Sequence, residues 1–171
     1  TRLVRVGLLR RWEFPKPYPP AYSLTERSAA LVGARPAGAG LLAVDVLRVL
    51  AASEFYVRLA RLGRSFSWAQ GAWGFWLEYS GREYWGFCPR AVPGEVHAFW
   101  QFVRKRPEDR LFCVAASEEV ALSAARGCPR SDGRGIRYRW DDLLHSEALE
   151  RAFRRWDGSG LEEDVLALFA G

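Results

Sequence analysis

Between Trp73 and Phe87 the chain carries seven large aromatic residues: Trp73, Phe75, Trp76, Tyr79, Tyr84, Trp85 and Phe87. Ser80-Gly81 splits the run into two short segments, Phe75–Tyr79 and Arg82–Cys88, which predicts a β-hairpin with a two-residue turn. Strand side chains alternate between the two faces of a sheet, so no single face can take all seven rings. One set can pack beneath helices. The other has to be covered by further helices, by a partner or by nucleic-acid bases.

The rest of the chain reads as an alternation of short strands and amphipathic helices. Residues 3–14 predict a strand, with Val4, Val6 and Leu8 alternating with polar positions. A proline-rich connector at 15–22 follows, extended because proline fixes φ and lacks a donor. Ser23 and Glu26 have capping-box spacing, which predicts a short helix through Val32. Gly33, Gly38 and Gly40 lie in the next loop and match no phosphate-binding pattern. A long helix is predicted from Leu41 to about Leu62, with Leu42, Val46, Val49, Leu50, Tyr56, Val57 and Ala60 as its buried face. Gly63 ends it. A strand over Ser65–Gln70 precedes the hairpin. Then come a helix over 94–106, a strand over Leu111–Ala116 and a helix over Ser117–Arg126. A strand is predicted over Ile136–Trp140, and two more helices over Asp141–Trp156 and Leu161–Ala170.

Through residue 116 this order predicts an α+β fold of the ferredoxin-like, split βαβ kind. That fold is an antiparallel sheet with two long helices on one face. Residues 1–116 would form that core, and residues 117–171 a basic loop and C-terminal helical extension packed on it. The helix, Leu-Gly-Arg, strand, hairpin and helix order over Phe55–Val114 resembles the ferredoxin-like modules that precede the motor in some conjugation ATPases. The chain has no P-loop, and the resemblance assigns no residue a role.

Charge and chemistry narrow the function. A 49% hydrophobic and 14% aromatic composition is too apolar for a disordered chain. The net charge is +5, and Lys16 and Lys105 are the only lysines among 25 basic residues. Guanidinium groups suit phosphate and carboxylate contacts, although a GC-rich coding sequence also enriches arginine. Cys88, Cys113 and Cys128 form no C-x-x-C pair, so a reducing, cytoplasmic setting is expected. No apolar run is long enough for a membrane span. The three cysteines and His97 are not at zinc-ligand spacing, and no metal or other cofactor is expected. Two Cys-Pro-Arg triplets, at Cys88 and Cys128, read as punctuated element ends. His97 and His145 accompany no nucleophile motif, so no catalytic residue is assigned. The carboxylate pairs Glu118-Glu119, Asp141-Asp142 and Glu162-Glu163 fall in predicted first helical turns, where they favour the helix dipole.

Two constellations remain. Arg130, Arg134, Arg137, Tyr138, Arg139 and Trp140, with Arg151 and Arg155 beyond them, interleave cations with aromatics. Nucleic acid, DNA or RNA, takes such a pattern, phosphates meeting guanidinium groups and bases stacking on rings. Trp73, Trp76 and Trp85 are the surplus of the aromatic hairpin and suit a protein interface. The sequence therefore predicts a non-enzymatic binding module for nucleic acid. One alternative is an assembly or adaptor protein, or homo-oligomer, using the tryptophan face or the proline-rich arm. The other is an enzyme whose site is scattered through the chain.

Overall fold

A computed structural model of the chain describes residues 2–13, 20–32, 42–107, 110–128, 135–142 and 148–166. The chain divides into two units, Thr1–Val46 and Leu47–Gly171. Most of the proline-rich connector lies outside the described residues, as do Arg130, Arg134 and His145.

The first unit is small. A single helical turn, α1 (Arg2–Arg5), leads into a two-stranded antiparallel ribbon of β1 (Leu9–Trp12) and β2 (Ala21–Leu24). The expected strand over 3–14 is thus shorter and begins later. Helix α2 (Glu26–Leu31) is capped by Thr25, whose Oγ1 accepts from the Ser28 amide at 3.4 Å. Ser23, the expected cap, lies inside β2, where its Oγ accepts from Trp12 Nε1 at 2.9 Å.

The second unit takes most of α3 (Ala43–Arg61) and a seven-stranded sheet. The strands are β3 (Phe66–Gln70), β4 (Gly74–Tyr79), β5 (Arg82–Phe87), β6 (Leu111–Ala115), β7 (Arg137–Trp140), β8 (Arg154–Trp156) and β9 (Leu161–Glu163), side by side in chain order. The hairpin turn is as the sequence implies. Ser80 and Gly81 both have positive φ, at 51° and 71°, as a tight two-residue hairpin turn requires. Strand β4 is antiparallel to both β3 and β5, β5, β6 and β7 are parallel, and β8 and β9 each pair antiparallel to the strand before them.

Helices α4 (Glu95–Val103) and α5 (Glu118–Arg126) bridge the two parallel pairs. Right-handed crossovers that step the same way across a sheet leave their helices on the same face. The packing agrees: Phe99 and Val103 of α4 and Ala121, Ala124 and Ala125 of α5 share one core with Phe87, Leu111, Cys113, Ala115 and Tyr138. On the opposite face, Ala51, Ala52, Phe55 and Leu59 of α3 pack on Phe75, Leu77, Tyr79, Tyr84, Phe112 and Val114. Strand β6 is buried at all five residues, as a central strand covered on both sides must be.

The protein is therefore mixed α and β with two sheets, but its large sheet lacks the ferredoxin-like arrangement. That plan needs an N-terminal strand in the middle of the sheet and both helices on one face. Here β1 reads Leu-Arg-Arg-Trp with only Trp12 buried, too polar for a strand covered on two sides, and it pairs with β2 instead. The C-terminal helical extension is also corrected. Residues 154–156 and 161–163, expected to be helical, are β8 and β9. Asp157 makes the turn between them, its Oδ1 accepting from the amides of Ser159 at 2.6 Å and Gly160 at 2.7 Å. Those donors, Gly160 foremost, pull the Asp157 carboxyl down to about 2. Ser159 and Glu162 have capping-box spacing by coincidence.

Helix α3 is turned relative to expectation. It buries Arg48, Ala51, Ala52, Phe55 and Leu59, while Val49, Leu50, Tyr56 and Val57 are exposed. Apolar residues lie on several sides of the helix, interrupted by Asp45, Arg48, Glu54, Arg58 and Arg61, so its periodicity offers two stripes. Phe55 decides between them, with ring contacts to Trp68, Phe75, Phe112 and Phe153 at 4.9–6.1 Å. Among the described residues no helix is long and apolar enough to cross a membrane.

The tight fit of the sheet against α3 is testable at Gly86. A Cβ there would sit 2.1 Å from the Phe75 ring, whereas one at Gly71 meets nothing within 4 Å. Gly86→Ala is expected to lower unfolding stability by about 1–3 kcal/mol, and Gly71→Ala to change it by less than about 0.5 kcal/mol. Urea denaturation of the two variants checks this; equal effects would show that the ring relaxes freely.

Candidate functional site

Helices α4 and α5 do not cover the whole of their face of the sheet. Beside α4, toward β3, lies a groove of about 750 Å³. Trp76 and Trp85 stand opposite one another on β4 and β5, on the face away from α3, and line it. Trp73 joins them from the β3–β4 turn, 45% exposed. Phe87 adds a ring from β5, and Phe102 and Arg106 come from α4 and its C-terminal end.

Each lining group has a reason to be where it is. The Trp73 carbonyl accepts from the Cys88 amide at 2.7 Å, which pins the turn to the end of β5. Its ring lies nearly parallel to Phe87, with centroids 5.6 Å apart, and the Arg48 guanidinium stands 4.4 Å from its centre. Trp76 Nε1 donates to Glu83 across the hairpin at 3.2 Å. Gly74 opens β4 because a Cβ there would lie 2.1 Å from the Gly86 carbonyl oxygen. The Arg106 guanidinium lies 3.9 Å over Phe102 and 5.9 Å from Trp85, and donates to the Phe102 carbonyl at 3.2 Å. Burial lowers its pKa. His97 and Gln101 form the α4 rim, their side-chain nitrogens 3.2 Å apart. Among the described residues no acidic side chain lines the groove.

A buried polar clamp sets the position of α4 and Trp73. The Glu95 carboxylate accepts from the amides of Arg90 at 2.6 Å and Val92 at 3.0 Å, and from Arg48 Nε at 3.1 Å. Arg90 donates to both carboxylate oxygens of Asp141, at 2.9 and 2.7 Å, and to the Val114 carbonyl. Ala91, between these anchors, is held at a φ of 64°. Glu95, Arg90 and Arg48 are nearly inaccessible to solvent. With Asp141, the clamp sets two arginines against two carboxylates. Asp141, expected merely to favour a helix dipole, is a structural ion-pair partner.

The predicted residues separate into two sets. Trp73, Trp76 and Trp85 come together in the groove. Of the described members of the arginine set, Arg137 and Arg155 are cross-strand neighbours on β7 and β8, while Arg139 is buried inside the core. Strand alternation sends Tyr138 and Trp140 toward α4 and α5, and Arg137 and Arg139 to the opposite face. Tyr138 is fully buried, and Trp140 is half-buried against the same core. Arg137 pairs with Asp164 at 2.7 Å. Arg139 is fully buried, its guanidinium 5.4 Å from the Phe55 ring and 5.1 Å from Phe153. None of its three nitrogens has a hydrogen-bond partner, and burial, with Arg58 adding to it, holds its pKa well below the usual arginine range. Arg151 is exposed and pairs with Glu163 at 3.1 Å, while Arg155 is exposed on β8. Arg106 and Phe102 were missed because they look like the tail of an amphipathic helix. Their spacing, i and i+4, was the available signal.

Cys88 and Cys113 are buried and Cys128 is half-buried. Burial raises the Cys88 thiol to about 12 despite Arg90 nearby, and pushes Cys113 up as well. Among the described residues no group of three or more histidine, cysteine or acidic side chains could hold a metal ion. Comparison with protein-family models, curated proteins and solved structures finds no match. The function therefore has to be argued from the groove.

Two measurements test this description. Arg139→Met keeps a long side chain and removes a buried cation without hydrogen bonds. It is expected to leave stability unchanged or raise it by up to about 2 kcal/mol in urea denaturation; a clear loss would show that the contacts with Phe55 and Phe153 outweigh the desolvation of the charge. For the thiols, Cys128 should react first with a disulfide reagent at mildly alkaline pH, and Cys88 and Cys113 only on unfolding. The unfolded Cys88 thiol ionises near its ordinary value of 9.0 and the folded one near 12. Its contribution to stability is whole below the first value and is lost as pH rises toward the second. Rapid reaction of all three thiols in the folded protein would contradict their burial.

Proposed function

We propose that this chain is a non-enzymatic binding module whose partner-binding surface is the aromatic groove beside α4, and that its partner is a protein. The observation that carries this reading is the convergence of Trp73, Trp76 and Trp85 on a groove of about 750 Å³ that neither α4 nor α5 fills. Tryptophan and arginine are the residues most enriched where binding energy concentrates in protein interfaces. The volume falls within the usual range for binding clefts. Nucleic acid fits the groove less well, because its affinity rests on many phosphate contacts and, among the described residues, Arg106 is the one cationic guanidinium in the lining.

A second reading keeps nucleic acid but moves it. Residues 1–46 hold seven basic residues against Glu13, Glu26 and Asp45, and so carry four of the five net charges. Arg2, Arg5, Arg10, Arg11 and Arg27 are all exposed, with Arg10 stacked 4.0 Å over Trp12. That charge distribution favours the first unit, not residues 130–155, as a phosphate-contacting surface.

Selection from a random peptide display library, with fluorescence anisotropy on the selected peptides, separates the two. Under the groove reading, Trp76→Ala weakens peptide binding by roughly tenfold or more. Binding then changes little between about 50 and 200 mM salt. The reading fails if the protein selects no peptide, or if it binds labelled oligonucleotides with steep salt dependence and Trp76→Ala has no effect. In the latter case, loss of binding in Arg10→Ala with Arg11→Ala would assign the function to the first unit.

A further inference from the structure

We infer that the partner adds an extended strand to the open edge of β3, as a polypeptide segment that alternates apolar and acidic side chains. This rests on the groove reading above and specifies the form of the ligand. β3 is the first strand of the large sheet and, among the described residues, pairs with β4 on one side only. Its other edge presents a row of backbone N–H and C=O groups, and natural proteins usually blunt such an edge with lysine, proline or a bulge. Phe66–Gln70 has no charged residue and no proline, and it stays in continuous register with β4 from Phe66↔Tyr79 to Gln70↔Phe75.

Hollows border this strand on both faces of the sheet. Ala69 and Gln70 line the groove beside α4. Phe66 and Trp68 line a second hollow of about 670 Å³ with Tyr56 and Ala60 of α3, on the opposite face. A strand laid along β3 sends successive side chains to opposite faces, so one extended ligand occupies both hollows. A helix, a nucleic-acid duplex or a flat small molecule reaches one face only. Charge selects the segment's chemistry. Among the described residues, Arg106 in the first hollow and Arg64 in the second are the charged members of their linings, and neither lining contains an acidic residue. Carboxylates on the ligand complement both. A second copy of this chain would bring the same uncharged strand, Phe66–Gln70, to the edge.

The test uses the full chain and peptides from the random library. The selected peptides should show period-two alternation of apolar and acidic residues. N-methylation of alternate peptide amides should weaken binding by roughly tenfold or more, because it removes the ladder donors. Hydrogen exchange of amides 66–70 should slow by a similar factor when peptide is bound. Peptides that bind in a Trp76-dependent way but leave those amides unprotected would overturn strand addition while leaving the groove reading in place. Failure to select any peptide would overturn both. Sedimentation showing a dimer, with 66–70 protected by raising protein concentration alone, would assign the edge to a second copy and overturn the proposal.

Discussion

Strand β6 is the constraint on which the second unit depends. Leu111, Cys113 and Ala115 face one way, and Phe112 and Val114 the other, and all five are buried. A strand with no polar face needs a layer on each side. Helix α3 supplies one, and α4 with α5 supplies the other. The parallel pairing follows from the same need. Parallel strands require crossovers of a dozen or more residues, and those crossovers bring the covering helices with them. The layer is nevertheless incomplete. Seven strands span about 29 Å at the usual spacing, and two helices side by side cover about 20 Å. These two helices leave part of the sheet uncovered by them, and the part beside α4 is where the tryptophans lie.

The clamp of Arg48, Glu95, Arg90 and Asp141 makes that bare region a defined shape rather than an accident of short helices. It joins α3, the segment after β5, the first turn of α4 and the end of β7. Buried ion pairs are poor sources of net stability but penalise alternatives strongly, since removing one partner strands the other at a cost of about 3–5 kcal/mol. Here Glu95 also accepts from two backbone amides, and both oxygens of Asp141 accept from Arg90 Nη1. Arg48 also lies against Trp73, so the helix on one face of the sheet fixes an aromatic wall of the groove on the other.

Much of this was legible in the residues. Ser80-Gly81 marks the hairpin, Ser117 caps α5 through the Val120 amide, and the surplus of rings in the hairpin implies a second, uncovered face. What local pattern could not convey was partnership. The spacing of Leu149, Ala152, Phe153 and Trp156 suits a helix, yet Phe153 and Trp156 lie on opposite sides of the sheet. Two apolar stripes on α3 are equivalent until Phe55 has a partner. Parallel pairing of β5 and β6 depends on contacts 26 residues apart, between Trp85 and Leu111, which no short window contains.

Arginine was the most misleading signal, for a physical reason. Its long stem and planar, weakly hydrated head let it stack on aromatics and enter interiors where lysine would not. Arg48, Arg90 and Arg139 are all buried, and Arg48, Arg106 and Arg139 each lie over at least one ring. In a chain this rich in tryptophan and phenylalanine, arginine serves as packing material as well as charge. A count of arginines therefore overstates the positive surface of the second unit, whose net charge is only one. What that unit shows to a partner is aromatic area with a cation at its margin.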